Sequence, residues 1–339
     1  MSDKLSQLLA KRPWLLTDGA TGTNLMSMGL AHGYPPEFWN VEHPDKIRAH
    51  YRSFIEAGSD IVLTNSFGGT ANRLKLHRAE KRVHEINRAA AALLREEADR
   101  SGREIVCGGS IGPTGDLFQP LGELTYGQGV AAYVEQMRGL EDGGVDVAWI
   151  ETMFSEPELA AAVEAAKVVG LPAIVTMTFD TSGRTMMGLA PVDFVKIARA
   201  ATPRLVAFGG NCGTGAPDLL CGLISISGML GPDDVVIAKA NCGMPEFVND
   251  EVCYNGTPEL MAEYAILARN AGARIIGGCC GTTPRHIAAM RRALEGSAKG
   301  SCPTIEDVIA KVGPLTGTTR TLIDGGAGVK RVGRRGKPG

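Results

Sequence analysis

The sequence contains no long apolar run, no marked excess of charge and few aromatic residues. Nothing in it approaches the about 20 consecutive apolar residues that a helix needs to cross a bilayer. The opening residues, MSDKLSQLLAKRPW, hold no apolar stretch followed by a small-residue cleavage site, so they do not read as a secretory signal. A formal net charge of -2 over 339 residues leaves no basic surplus for nucleic acid or an anionic membrane surface. Aromatic residues make up only 5% of the chain, so any core must be mainly aliphatic. The expectation is a cytoplasmic protein with small-molecule partners, and neither nucleic acid nor membrane among them.

What is present is enough apolar material (44% of residues) for one large core. Short apolar runs that read as buried strands recur at 14–17, 60–64, 104–109, 146–151, 172–178, 205–209, 235–239 and 274–278. Between them, helical spacing covers 45–57, 77–100, 129–141, 156–169, 192–201, 218–230, 258–270 and 285–294. Continuous apolar strands separated by helices indicate a parallel sheet, and eight such units predict a single (β/α)8 TIM barrel. The barrel is expected over residues 1–300. Residues 301–339 read as an irregular tail that ends in Lys330, Arg331, Arg334, Arg335 and Lys337.

In such a barrel the chemistry sits at the C-terminal ends of the strands. The predicted tips carry Asp18-Gly19-Ala20-Thr21-Gly22-Thr23, Asn65-Ser66-Phe67, Ser110, Glu151-Thr152, Gly210-Asn211-Cys212, Asn241-Cys242-Gly243 and Gly277-Gly278-Cys279-Cys280-Gly281. Eight cysteines in a large, non-secreted chain suggest metal or catalysis rather than a disulfide framework. The sixth and eighth strands of a barrel are next-but-one neighbours, so Cys212, Cys279 and Cys280 are expected to share one ion. Three thiolates favour Zn2+ and leave a fourth position for a substrate. Such a zinc activates water poorly but can lower the pKa of a bound thiol, and alkyl transfer onto sulfur is the natural reaction. Cys242 is expected to be a small-residue replacement rather than a fourth ligand. Lys239 could serve a Schiff-base aldolase, but the sulfur cluster would then have no role.

These strand-tip motifs, taken in order, resemble the homocysteine S-methyltransferases over about residues 12–296. That family includes betaine–homocysteine methyltransferase, S-methylmethionine-dependent enzymes and the homocysteine module of cobalamin-dependent methionine synthase. The resemblance implies zinc ligation by Cys212, Cys279 and Cys280, with Asp18 and Glu151 on the amino group of homocysteine. It also implies that backbone amides near Gly19 and Ala20 hold the carboxylate. Phe67, Asn211 and Asn241, in the same motifs, complete the candidate substrate-binding set.

The methyl donor is the open point. A small onium donor needs aromatic faces, and Tyr34, Phe38, Trp39, Phe67, Phe118 and Tyr126 lie in predicted loops near the rim. Gly68-Gly69 after Phe67, and Thr152 after Glu151, depart from the animal betaine enzymes toward the methionine synthase module. Three readings therefore stand: methyl transfer from a betaine-like or S-methylmethionine-like donor, service as the homocysteine-activating subunit for a separate corrinoid protein, and a non-catalytic thiol- or zinc-binding barrel.

Overall fold

Valine and isoleucine are the commonest residues of the short strands, followed by alanine and glycine. The structure is a computed structural model that describes residues 3–180, 183–243, 245–248, 251–317 and 319. Its strands are β1 Leu15–Leu16, β2 Ile61–Leu63, β3 Val106–Ile111, β4 Val147–Met153, β5 Ala173–Met177, β6 Ala207–Cys212, β7 Val236–Ala240, β8 Pro245–Val248, β9 Glu251–Tyr254 and β10 Ala273–Gly278. Eight of them form one parallel sheet in the order β1-β10-β7-β6-β5-β4-β3-β2. A bridge from Thr17 to Ile61 joins the two ends, which gives the expected (β/α)8 barrel.

The helices at Glu156–Val169 and Pro258–Asn270 match the sequence reading to the residue, and the other long ones differ mainly at their ends. The stretch from 77 begins instead as short helical turns, with the long helix starting at Val83. Gly209 shows why glycine is required in the strands themselves: a Cβ there would collide with the Ile237 backbone across the β6–β7 pair.

Three elements escaped the sequence reading. Helix Lys4–Lys11, capped by the Asp3 side chain, buries Leu5, Leu8 and Leu9 against the lower barrel interior, where Leu15, Val106, Trp149 and Ile275 meet. A hairpin, β8 with β9, follows the β7 tip. Residues 301–317 are not irregular throughout, because helix Ile305–Val312 buries Val308 and Val312 against the body. Thr304 caps that helix with a reciprocal bond to Asp307, a signal short enough to be lost among polar residues. The basic residues at 330–337 lie outside the described residues.

Candidate active site and metal centre

β7 runs between β6 and β10, so the Cys212 strand and the Cys279–Cys280 strand tip face each other across it. Cys212 is the last residue of β6 and has a φ of 59°, a left-handed conformation that non-glycine residues seldom take. Its Sγ lies 2.9 Å from Cys279 Sγ and 3.9 Å from Cys280 Sγ. All three sulfurs fall within 4.8 Å of one another, the one such metal-ready group among the described residues. Tetrahedral zinc with bonds of about 2.3 Å needs ligand sulfurs about 3.8 Å apart, so the set fits with small adjustments. Interaction with Cys212 and Cys279 outweighs burial and holds the Cys280 thiol below the usual thiol range. Cys212, in contact with Cys279 and Cys280 and buried as well, is pushed well above the usual thiol range.

Asn211 and Asn241, candidate substrate-binding residues, are absent from the cavity lining, and their amides bond neighbouring strands and turns. Asn211 Oδ1 accepts from the Thr152 amide (2.9 Å) and the Thr176 hydroxyl (2.7 Å), while its Nδ2 donates to Thr152 Oγ1 (2.8 Å). Asn241 Nδ2 donates to the Gly213 carbonyl (2.7 Å), and its Oδ1 accepts from the Cys280 amide (3.0 Å). An amide has a donor end and an acceptor end, so Asn211 ties the end of β6 to β4 and β5, and Asn241 ties the turn after β6 to the turn after β10. Cys242 lies outside the cluster, as expected: it is buried, bonded to the Gly256 carbonyl at 3.2 Å, and burial pushes its thiol up to about 12.

The three sulfurs open onto a cavity of about 560 Å³, lined also by Gly19, Ala20, Phe67, Ser110, Glu151 and Lys239. Glu151 Oε1 accepts from the Ser110 hydroxyl at 2.5 Å. Burial raises the Glu151 carboxyl to about 7, with nearby Lys239 and the Ser110 bond pulling the other way. Asp18 is bonded within the protein. It is buried and absent from the lining, and it takes Lys239 Nζ (2.8 Å) and Thr17 Oγ1 (2.9 Å) on Oδ1, with the Leu63 amide (2.7 Å) on Oδ2. The Ala20 amide is likewise committed, to the Thr282 carbonyl at 3.0 Å. Lys239, weighed from the sequence only as a Schiff-base candidate, is the charged residue that reaches the cavity from this side. The signal that marks it is a lysine inside an otherwise apolar strand.

Of the six candidate aromatics, Tyr34 and Phe67 line the cavity. Gly112 makes room for Phe67, since a Cβ there would strike its ring. Phe38 packs edge-on against Tyr34 and His77, Trp39 and Phe118 are buried in the core, and Tyr126 bonds the Ala160 carbonyl instead.

Residues 15–294 match the family model of the homocysteine S-methyltransferases. The chain belongs to this family. Among solved structures, the metallated form of homocysteine methyltransferase MmuM from Escherichia coli aligns at a TM-score of 0.71 and 25% identity, covering 85% of this chain and 99% of that one. The oxidized form of the same protein aligns at 0.71 and 24%, covering 86% and 99%, and supports the fold alone. The protein is therefore a methyltransferase whose family acts on homocysteine, and the non-catalytic alternative falls away. Among the described residues, no helix is long and apolar enough to cross a membrane.

Proposed function

We propose that this homocysteine S-methyltransferase is a zinc enzyme that forms methionine from homocysteine and a small onium donor, betaine-like or S-methylmethionine-like. The observation that carries the reading is the meeting of Cys212, Cys279 and Cys280 on the wall of a cavity that also presents a buried carboxylate. Zinc held by these three thiolates would supply a Lewis-acid site that keeps a substrate thiol deprotonated near neutral pH. Glu151 is suited to bind the substrate ammonium, which in turn favours its ionised form. The sulfur nucleophile displaces a neutral amine or sulfide from the donor methyl: one S–C bond forms as the C–N+ or C–S+ bond breaks, and the leaving group keeps the bonding pair. Phe67 and Tyr34 offer ring faces or edges to the positive charge of the donor. The wall around them limits water and holds the two reactants in line. Reduced thiols at the centre suit a cytoplasmic setting.

A second reading rests on a separate observation. Leu76, Leu117, Leu121, Met186 and Met187 are exposed on loops that follow β2, β3 and β5, at the cavity end of the barrel. Such an apolar rim would suit a protein donor that carries a methylcorrinoid. A methyl-donor screen on the zinc-loaded protein, with and without a methylcorrinoid protein, tests both readings. Methionine formed from betaine or S-methylmethionine alone supports the first; turnover only with the corrinoid protein replaces it by the second.

A further inference from the structure

Glu37 sits on the helical turn Pro36–Phe38, in the connection after β1, and Arg73 on helix Ala71–Leu74, after β2. Both line the cavity. Glu37 is only 6% exposed, and its Oε1 accepts the Gly68 amide at 2.6 Å. Position 68 has to be small there, since a Cβ would lie 2.8 Å from that same oxygen. Oε2 takes no hydrogen bond from another described residue, and no described lysine or arginine forms an ion pair with the carboxylate. Arg73 uses its Nε–H on the Pro113 carbonyl at 3.1 Å, and the rest of its guanidinium fork has no acceptor among the described residues.

The two charges feel each other without pairing. Burial raises the Glu37 carboxyl, while the Gly68 amide, Arg73 and His77 work the other way. A buried carboxylate with no bonded cation is costly, and so is a guanidinium fork left open. A molecule with a cation at one end and an anion at the other completes both pairs at once. Lys239 does not compete for that anion, because its ammonium is held by Asp18 at 2.8 Å and lies over the Trp149 ring. Glu151 and the sulfurs belong to the acceptor in the proposed reaction, so the charges at 37 and 73 are left for the donor.

We infer that Glu37 and Arg73 form a head-group subsite for the methyl donor, in which Arg73 binds the donor carboxylate and Glu37 faces its cationic end. The subsite selects zwitterionic donors over oniums of similar size that lack the carboxylate. This inference rests on the proposed use of a small onium donor.

The test is steady-state methionine formation by the zinc-loaded, full-length protein, with KM read separately for homocysteine and for the donor. Betaine and S-methylmethionine are the donors. Choline and (3-aminopropyl)dimethylsulfonium, their counterparts without a carboxylate, are the competitors. The wild type is expected to bind the productive donor about 30-fold more tightly than its counterpart, the worth of one charge-assisted hydrogen bond. Arg73→Met should raise the donor KM by about 30-fold, with the KM for homocysteine and the inhibition by the counterpart nearly unchanged. Glu37→Gln keeps an acceptor for the Gly68 amide and should weaken donor and counterpart alike, by about 10-fold. Should Arg73→Met disturb its loop, which a raised KM for homocysteine would reveal, Arg73→Lys still reads the subsite. It keeps the charge without the fork, so a donor KM about 5-fold above wild type, with homocysteine unaffected, supports the inference, and an unchanged donor KM overturns it. Equal weakening of donor and counterpart in Arg73→Met also overturns it, as does an unchanged donor KM in Glu37→Gln. Wild-type protein that methylates homocysteine only with a methylcorrinoid protein overturns the onium reading itself, and this inference with it.

Discussion

Asp60 and Glu151 are both buried carboxylates on the barrel, one at the start of β2 and the other near the end of β4, and their surroundings are opposite. Asp60 meets Arg12 at 2.7 Å, Arg291 at 2.8 Å and Arg103 at 3.4 Å, and accepts the Leu16 amide as well. Glu151 accepts one hydroxyl, from Ser110, and its carboxyl is raised to about 7 by burial. A carboxylate saturated with partners holds the barrel floor together. One left short of partners, and facing the cavity, suits the cation proposed for it, the ammonium of the acceptor. The contrast extends to the side chains nearby: apolar residues of helix Lys4–Lys11 close the bottom, whereas the top is open and lined with sulfur.

The sharpest way to separate the two ends is at the sulfurs. Cys279→Ala should lose stoichiometric metal and lower turnover by a thousandfold or more, on the order of removing a principal transition-state contact. Metal analysis and steady-state kinetics read this out, and a variant with normal metal content would refute the ligand assignment. Asp60→Ala should do the reverse. It should cost about 3 kcal/mol of stability by leaving three arginines without their shared partner, while the rate per folded, metal-loaded molecule stays normal. Denaturant unfolding paired with active-site titration measures both.

Glu151→Gln should raise the KM for homocysteine by about 100-fold through loss of the ammonium partner. It should also change the pH dependence of folding. The native carboxyl titrates near 7 against an ordinary value of 4.5, so the native state holds a proton between those values that the unfolded state has released. The contribution of Glu151 to stability therefore falls as pH rises through that window. The glutamine variant should gain on the wild type between pH 5 and 8, and parallel melting curves at the two pH values would refute the assignment. The smallest effect belongs to the exposed Lys11–Glu104 pair at 3.0 Å, where Lys11→Met should change stability by less than about 0.5 kcal/mol.

The eight-unit rhythm, the barrel and the three cysteines were legible in the linear chain, because apolar periodicity and ligand chemistry are local properties. The family motifs lie in strand tips, where backbone geometry restricts residue choice most tightly, and they too could be read directly. Helix Lys4–Lys11 and helix Ile305–Val312 were not read, since each is short and its burial depends on a surface supplied by distant residues. Partnership between charges was hidden for the same reason. Asp18 and Lys239 are 221 positions apart, and only closure of the barrel brings β7 beside the end of β1 and joins them. The sequence by itself determined which thiols meet and what kind of acceptor they suit. The tertiary structure decided which charged groups face that acceptor, because a buried charge takes its role from the partners that folding places around it.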